Sequence, residues 1–195
     1  MPTRVALLGL SAILALAVPV SAEMQRFTVE GDKSHAGFDA FHPFGNFSVS
    51  SESTTGEIEA DIADLKQPIK GQFGMLAISL RSGDEKRDRK IHSNLDTERY
   101  PTISYRIEKV ESSFSSLAEN NDVLLTIRGV LTMKGLDRPV DFSGRVRLRP
   151  GGALWVRGES WIRPRDWGVP PIRIWLAAAR ETVLATFDLV LSKAQ

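Results

Sequence analysis

Polar and apolar residues alternate most regularly between residues 122 and 149. From Val140 to Leu148, apolar residues or glycine occupy every second position, and Asp, Ser and Arg stand between them. Because successive side chains of a β-strand point to opposite faces, this run predicts a strand with one buried and one solvated face. A similar run precedes it at Val123–Met133, and Lys134–Pro139 contains the glycine and proline that favour a reversal. The stretch therefore predicts an antiparallel hairpin.

Shorter runs at near-regular spacing predict further strands, which is typical of a β-sandwich or a β-barrel. These predicted strands are Phe27–Glu30, Ala36–Phe41, Phe47–Glu52, Gly56–Ile62, Gly71–Leu80, Ile103–Val110, Ala153–Ile162 and Thr182–Ser192. One charged stretch, Asp84–Leu95, breaks the pattern. Ile91 and Leu95 lie four residues apart in it, so we expect a short helix with one packed face.

The first 22 residues have the pattern of a secretory signal. Arg4 is basic, Val5–Val18 is apolar, and Val20–Ala22 places small residues before an expected cleavage after Ala22. The apolar run is shorter than the roughly 20 residues that a membrane-spanning helix needs. We expect a cleaved signal peptide, a single mature domain at residues 23–195 and a periplasmic or secreted protein. An uncleaved N-terminal anchor is the alternative.

Composition narrows the classes of function. The chain has 25 basic and 24 acidic residues, and loss of Arg4 would leave 24 of each, which argues against a general nucleic-acid-binding protein. The absence of Cys excludes disulfides and thiolate chemistry. His35 and His42 would face opposite sides of a continuous strand, so we predict no metal site. Motifs of nucleophilic hydrolases and phosphate-binding loops are absent, so we predict no catalytic residues and no cofactor.

Four tryptophans, Trp155, Trp161, Trp167 and Trp175, fall close together near the C-terminus. Large aromatic side chains fill a core, line a cavity or plug the end of a barrel. Trp155 and Trp161 have the same parity on one predicted strand, so they could line an interior face together. Trp167 lies in the irregular run Arg165–Gly168, and ligand contacts are common in such backbone.

Several motifs, taken in order, resemble those of the YceI family, also described as lipid- or polyisoprenoid-binding proteins. The motifs are Asp32–Ala36 for an early D-x-x-H-S element with Ser and His exchanged, Arg87-Asp88 for an R-D pair, Tyr100–Ile103 for Y-P-x-I, Gly129–Val140 for G-x-L-T-h-x-G-x-x-x-P-V with h apolar, and Asp166–Gly168 for D-[FW]-G. The similarity covers nearly all of Phe27–Lys193.

This resemblance implies an all-β fold: an eight-stranded antiparallel lipocalin-like barrel with a short helix between strands. It also implies an exported binding protein rather than an enzyme. The barrel interior would hold an amphiphilic isoprenoid or other lipid, such as a quinone, for carriage, storage or sensing. An eight-stranded barrel is wide enough for its own side chains or for one small ligand. Transient contact with a membrane surface and assembly as a homodimer are both compatible with this interpretation.

Two groups of residues are the candidate ligand site. Inward apolar side chains would hold the tail: Tyr105, Leu125, Ile127, Phe142, Val146 and Trp155. Residues at the mouth would face a polar head group: Arg87, Asp88, His92, Arg165 and Trp167. The alternative for the mouth is a salt-bridged plug in which Arg87 or Arg165 pairs with Asp88 or Asp166.

Two other functions stay open at this point. One is an enzyme on the same barrel that uses His92, Asp88 and Arg87 on an apolar substrate. The other is a barrel filled by its own side chains that serves as a stress-related or protein-interaction module without an internal ligand.

Overall fold

The computed structural model describes residues 23–171, 173–174, 177–178 and 180–194. The predicted signal peptide and Trp175 lie outside these residues. The strands are β1 (Gln25–Val29), β2 (His35–Ala40), β3 (Phe47–Ser51), β4 (Thr54–Ala60), β5 (Lys70–Leu76), β6 (Thr102–Ser112), β7 (Asp122–Met133), β8 (Leu136–Leu148), β9 (Leu154–Ile162), β10 (Arg173–Ile174), β11 (Ala177–Ala178) and β12 (Val183–Lys193). The α-helix is α1 (Glu85–Leu95), and short 3-10 helices lie at Gly31–Lys33, Ala77–Ser79 and Pro164–Trp167.

Eight antiparallel strands close into the predicted barrel. They follow the order β1, β4, β5, β6, β7, β8, β9 and β12, and β12 pairs back with β1 through Val29–Leu191 and Phe27–Lys193. Closure leaves no free sheet edge along this part of the wall. The predicted all-β, eight-stranded barrel is therefore confirmed.

At two places in the barrel wall, two successive strands follow one another with a short break between them. The 3-10 turn at Gly31–Lys33 separates β1 from β2, and both halves pair with β12. Glu52 and Ser53 separate β3 from β4 in the same way, and β3 pairs with β2 while β4 pairs with β1. The interruptions let the wall bend without ending it.

The β7–β8 hairpin forms with a tighter turn than the sequence suggests. Met133 pairs with Leu136, so only Lys134 and Gly135 make the turn, and both have positive φ. A two-residue turn of this kind matches the twist of the strands. Pro139 was expected in the reversal but lies within β8, opposite Val130. It is tolerated there because β9 pairs with β8 only from Ser143 onward.

The predicted helix forms as α1 and covers one end of the barrel. The Asp84 side chain caps its N-terminus by accepting from the Arg87 backbone N–H at 2.9 Å. Ile91 and Leu95 are both buried, as their spacing predicts. The β7–β8 turn meets the same end, since Lys134 Nζ lies 3.1 Å from the Asn94 carbonyl oxygen. We call this the upper end and the opposite one the lower end.

Apolar side chains fill the barrel from both ends. An upper core cluster includes Leu131, Phe142 and Trp167, and a lower one includes Phe27 and Leu191. The predicted inward parity of β6, β7 and β8 is confirmed by these clusters.

One predicted strand is shorter than expected. Gly71–Leu80 was expected to be one strand, but β5 ends at Leu76 and a 3-10 turn follows. Leu80 is buried, while Leu76 and Ile78 are about half exposed. Phe73 and Met75 line the interior, so Leu76 faces outward by the alternation of β5, and the 3-10 turn then brings Leu80 to the interior.

Candidate functional site

Three apolar cavities follow one another inside the barrel. The central cavity has a volume of about 130 Å³, the upper cavity about 80 Å³ and the lower cavity about 60 Å³. Neighbouring cavities share lining residues, so they lie end to end. Sites for drug-sized ligands are usually about 300–1,000 Å³. The interior is therefore partly hollow, and side chains divide it into small compartments.

An aromatic belt separates the central cavity from the lower one. We use this name for Phe73, Tyr105, Phe142 and Phe187. Phe142 contacts Tyr105 edge-on with ring centroids 5.1 Å apart, and it contacts Phe187 at 5.3 Å. Phe73 and Phe187 line both cavities. Aromatic pairs in this geometry add stability beyond the area they bury, so the belt is a packed constriction.

Glycines on neighbouring strands make room for three rings of the belt. The belt–glycine pairs are Phe73 with Gly56, Tyr105 with Gly129, and Phe187 with Gly158. A Cβ added at each glycine would stand 2.4–2.7 Å from the nearest ring or hydroxyl atom. Glycine in a strand often marks such a close approach. The sequence thus fixes the belt through pairs of positions on adjacent strands.

Tyr105 is also held by its hydroxyl. Its Oη lies 2.8 Å from the Val140 carbonyl oxygen and 3.0 Å from that of Ile127, so the O–H donates to this pair of acceptors. Burial raises the pKa of Tyr105 well above its ordinary value, and the charges of Asp141 and Glu108 raise it further. The phenol stays neutral and remains a donor at physiological pH.

The boundary between the central and upper cavities includes one flexible side chain, Met133. Phe38, Leu95, Met133 and Ile162 line both. Met133 is unbranched and flexible, which suits a wall that must change shape. Exposed residues border the upper cavity, and Arg165 Nη1 lies 3.7 Å from Glu181 Oε1 there. The upper cavity is thus the compartment nearest the surface at the upper end.

Five of the six predicted tail-binding residues line these cavities. They are Tyr105, Leu125, Ile127, Phe142 and Val146. Their placement follows from the inward parity of β6, β7 and β8. Ile127 borders both the central and the lower cavity, so it lies at the level of the belt.

The sixth, Trp155, faces outward, and its predicted interior position is wrong. Leu154 and Val156 on either side of it are buried. Trp155 Nε1 donates to Asp188 Oδ1 at 2.5 Å, and the guanidinium of Arg157 lies 5.0 Å from its ring centroid. The physical reason is visible in the sequence, because Arg157 and Glu159 share the parity of Trp155 and need solvent.

Trp161, for which an interior position was one possibility, faces outward for the same reason. Its side chain is 57% exposed, and its ring packs on Phe41 with centroids 5.3 Å apart. The interior face of β9 is instead formed by small and aliphatic side chains, which leave room for Phe187.

The predicted mouth residues do not come together. Of the five, Arg165 alone borders a described cavity. Arg87 lies over the Phe47 ring with 4.3 Å between its Cζ and the ring centroid. Trp167 is a buried plug whose Nε1 donates to the Leu131 carbonyl oxygen at 3.0 Å. These three side chains point to different environments, so they form no common head-group site.

The side chains of Asp88 and His92 form hydrogen bonds with neighbouring groups of the protein. Asp88 accepts hydrogen bonds from the Ser82 backbone N–H at 2.8 Å and hydroxyl at 2.6 Å. His92 Nε2 lies 2.9 Å from the Leu80 carbonyl oxygen. The alternative salt-bridged plug is wrong in its pairing, because Arg165 pairs with Glu181 rather than with Asp88 or Asp166. Since Asp88 and His92 bond to other groups, they form no acid–base pair with each other.

Sequence reasoning missed Thr54 and the two belt phenylalanines on β5 and β12. Thr54 lines the central cavity, and its Oγ1 is buried without a hydrogen-bond partner among the described residues. Its parity with Ile58 and Ala60 on β4 could have placed it inside. Phe73 and Phe187 lie directly opposite Gly56 and Gly158 in register, a signal that needs strand pairing and not one strand alone.

Two features are absent from the part of the chain that the structure describes. No helix in this part of the chain is long and apolar enough to cross a membrane. No group of three or more His, Asp or Glu side chains there is arranged to hold a metal ion.

Solved structures with similar folds come from several bacteria. A polyisoprenoid-binding domain from Saccharophagus degradans, implicated in plant cell wall breakdown, has a TM-score of 0.68 at 13% identity over 88% of this chain and 100% of its own. BcnA of Burkholderia cenocepacia has a TM-score of 0.66 at 18% identity, over 83% and 98%. A YceI protein of Campylobacter jejuni has a TM-score of 0.61 at 14% identity, over 77% and 86%. At these identities the likeness establishes the fold.

The amino-acid sequence of the chain identifies its family. No protein of curated function matches the chain. The model of the YceI-like domain matches residues 27–191, a range that runs from within β1 to within β12. The chain therefore belongs to the YceI family.

Proposed function

We propose that this protein binds the chain of an isoprenoid lipid non-covalently inside the barrel, for carriage, storage or sensing outside the cytoplasm. The observation that carries the proposal is the row of three apolar cavities along one interior. A tail threaded through them would replace contacts at two side-chain boundaries. The polyisoprenoid-binding domain of similar fold supports this class of ligand.

The energetics favour exchange with a membrane over capture from water. Each buried CH₂ contributes roughly 0.8 kcal/mol relative to water. A forty-carbon tail would then exceed the ~18–21 kcal/mol ceiling of non-covalent binding. The relevant comparison is therefore with the bilayer, which is also apolar. The small difference between two apolar environments suits loading and unloading.

Moving the aromatic belt costs free energy, and this cost favours some ligands over others. The belt must shift before a chain can pass from the central to the lower cavity, whereas Met133 and Leu95 lie on the way from the upper cavity. A lipid entering from the upper end therefore fills the upper and central cavities first. Short or kinked chains are favoured over long straight ones, because they leave the belt closed.

The upper end also carries an apolar rim that suits contact with a membrane. We define the rim as the exposed residues Phe44, Leu76, Ile78, Leu136 and Trp161. Each lies at or just beyond the end of a strand that reaches the upper end. Surfaces that bind at the membrane interface combine exposed aromatic and aliphatic side chains with basic ones.

Charge near the rim fits an anionic bilayer. Arg163, Arg165 and Arg180 are exposed on the segment that follows β9. The guanidinium of Arg180 lies 5.7 Å from the ring centroid of Phe41, which itself packs on Trp161. Basic side chains near a negatively charged leaflet contribute about 1 kcal/mol each. The rim and its arginines would thus hold the upper cavity against the membrane that supplies the lipid.

The proposal is tested by lipid extraction. Vesicles containing radiolabelled geranylgeraniol are mixed with the protein and then removed by flotation. The proposal predicts that label stays with the protein and saturates near one molecule per barrel. If the sample retains no more label than one without protein, the proposal is wrong, and the barrel is a module filled by its own side chains without an internal ligand.

A further inference from the structure

Four arginines lie together on the outer surface of the barrel wall near the lower end. Three of them, Arg145, Arg147 and Arg149, follow one another at alternate positions along β8 and just after it, and Arg157 lies on β9. We call these four residues the arginine face. Arg145 stands directly opposite Arg157 in the register of β8 and β9. Like charges in this position repel each other, so the fold retains an unfavourable contact that a neutral side chain would remove.

The ring of Trp155 holds three guanidinium groups of the arginine face. The Cζ atoms of Arg147, Arg149 and Arg157 lie 5.4, 5.2 and 5.0 Å from its centroid. At such distances a cation is attracted to the face of an indole ring. The ring is itself fixed by the hydrogen bond that its Nε1 donates to Asp188. Because the arginines are already ordered, they would lose less conformational freedom on binding a partner.

Carboxylates of the protein neutralise only part of this positive charge. The ion pairs of the arginine face are those of Asp122 with Arg145 and Arg147, and of Asp188 with Arg157. Arg149 forms no ion pair with any carboxylate among the described residues. Glu159, the next outward residue on β9, lies opposite Ser143 and likewise forms no ion pair in this part of the chain. Two aspartates therefore pair with three arginines, and Arg149 is available to an external anion.

The spacing of the arginines along β8 matches that of an extended polypeptide. Arg149 continues the geometry of the strand, because its backbone N–H donates to the Ala153 carbonyl oxygen at 2.8 Å. Alternate side chains of any extended strand are about 6.6 Å apart. An extended segment with Asp or Glu at every second position would thus bring one carboxylate to each arginine of the row. Because β8 already pairs with β7 and β9 here, recognition would use side chains rather than a free sheet edge.

We infer that the arginine face binds an extended acidic segment of another protein, with Asp or Glu at alternate positions. The face lies at the lower end, away from the apolar rim, so it stays in solvent when the upper end meets a membrane. This position favours a protein over a bilayer as the partner. A second copy of this chain is a poorer partner, because its exposed acidic residues Glu57 and Glu59 already pair with Arg26. The surface lies outside the cavities, so its test does not depend on the internal ligand.

The test measures the binding of labelled peptides at low salt by fluorescence anisotropy. One peptide alternates glutamate with threonine, a second has the same composition with its glutamates consecutive, and a third alternates lysine with threonine. The proteins are the wild type, the double variant with Arg145→Gln and Arg149→Gln, the single variant Trp155→Leu, and a control double variant with Arg89→Gln and Arg106→Gln. The control removes the same charge from exposed arginines of α1 and β6, outside the arginine face.

We expect the wild type to bind the alternating glutamate peptide more tightly than the consecutive one and not to bind the lysine peptide. The double variant of Arg145 and Arg149 should bind it about three- to tenfold more weakly, because two exposed ion pairs are lost, and added salt should weaken wild-type binding. Trp155→Leu should also weaken binding, because the arginines lose their order, whereas the control should bind like the wild type. Equal affinity for the two glutamate peptides, equal losses in both double variants, or no binding by the wild type would overturn the inference.

Two further measurements distinguish the other possible partners. The double variant of Arg145 and Arg149 should bind phosphatidylglycerol vesicles as the wild type does, because the rim is unchanged. A loss of vesicle binding would mean that the arginine face contacts lipid head groups, and it would overturn the inference. Sedimentation velocity should give the same mass for this variant and the wild type. A wild-type dimer that the variant fails to form would instead assign the face to a second copy of the chain.

Discussion

The ring of Phe187 on β12 lies against Gly158 on β9, its partner in register. A Cβ on Gly158 would stand 2.4 Å from the Phe187 ring carbon Cζ, closer than real side chains approach. The ring of Phe187 also contacts that of Phe142, with centroids 5.3 Å apart. The division between the central and lower cavities therefore depends on the absence of one side chain on a neighbouring strand.

Gly158→Ala should destabilise the protein by about 1–3 kcal/mol, because the Phe187 ring must leave its position in a packed core. Chemical denaturation measures the change. Gly74→Ala is the control, since its added Cβ would meet no atom closer than 3.5 Å. Equal stability of the two variants would show that Phe187 is free to move and that the belt is not a packed barrier.

Phe187→Leu should join the central and lower cavities while keeping an apolar side chain in place. We expect a modest loss of stability, on the order of 1 kcal/mol, and tighter binding of long isoprenoids relative to short ones. The measurement is the ratio of affinities for a C40 and a C20 prenyl alcohol in variant and wild type. A ratio that does not rise would place the boundary for long chains elsewhere.

Phe142→Asp should lower stability and lipid binding together, because it puts an unpaired charge at the centre of the belt. Leu124→Asp on the neighbouring strand is the matched control, since Leu124 is 65% exposed and faces solvent. Denaturation and lipid extraction are measured for both variants. The inward parity of β8 predicts a large effect at residue 142 and a small one at residue 124. The reverse order would contradict it.

The rim predicts binding to anionic vesicles. The double variant with Phe44→Ser and Trp161→Ser should bind phosphatidylglycerol vesicles more weakly than the wild type, and salt should weaken the wild type because it screens the arginines. Phe114→Ser is the control, since Phe114 is equally exposed but lies in the loop after β6 at the lower end. Equal losses from both ends would indicate that exposed aromatic residues bind without regard to the rim.

Asp188 gives the outer wall a dependence on pH. Burial acts to raise its pKa, but hydrogen bonds from Arg157 and Trp155 outweigh this, and the pKa lies below its ordinary value. Because the folded pKa is below the unfolded value of about 3.9, Asp188 stabilises the fold above that pH, and the contribution is lost as pH falls through the folded value. The unfolding free energy should therefore fall in acid more steeply for the wild type than for Asp188→Asn. Parallel profiles would contradict this assignment.

The sequence predicts most of the barrel because its central strands alternate without ambiguity. Phe142 and Val146 have only charged or small polar neighbours, so their inward orientation has no competitor. On β9 both faces contain large apolar residues. The prediction that Trp155 faces inward gave too little weight to Arg157 and Glu159, which are charged and have the same parity as Trp155.

The candidate site is less predictable because it depends on contacts across strands. Phe187 is unremarkable along its own strand, and only its pairing with Gly158 shows why the ring lies inside. Such features arise from register and cavity shape, which single-strand alternation does not encode.

The most direct test is native mass spectrometry of the protein purified from its own host without detergent. If the barrel holds an isoprenoid, the measured mass exceeds that of the polypeptide by one lipid, which dissociates on collisional activation and is identified as an isoprenoid. A bare polypeptide mass under gentle conditions, in a preparation that also fails to take up geranylgeraniol, would contradict it.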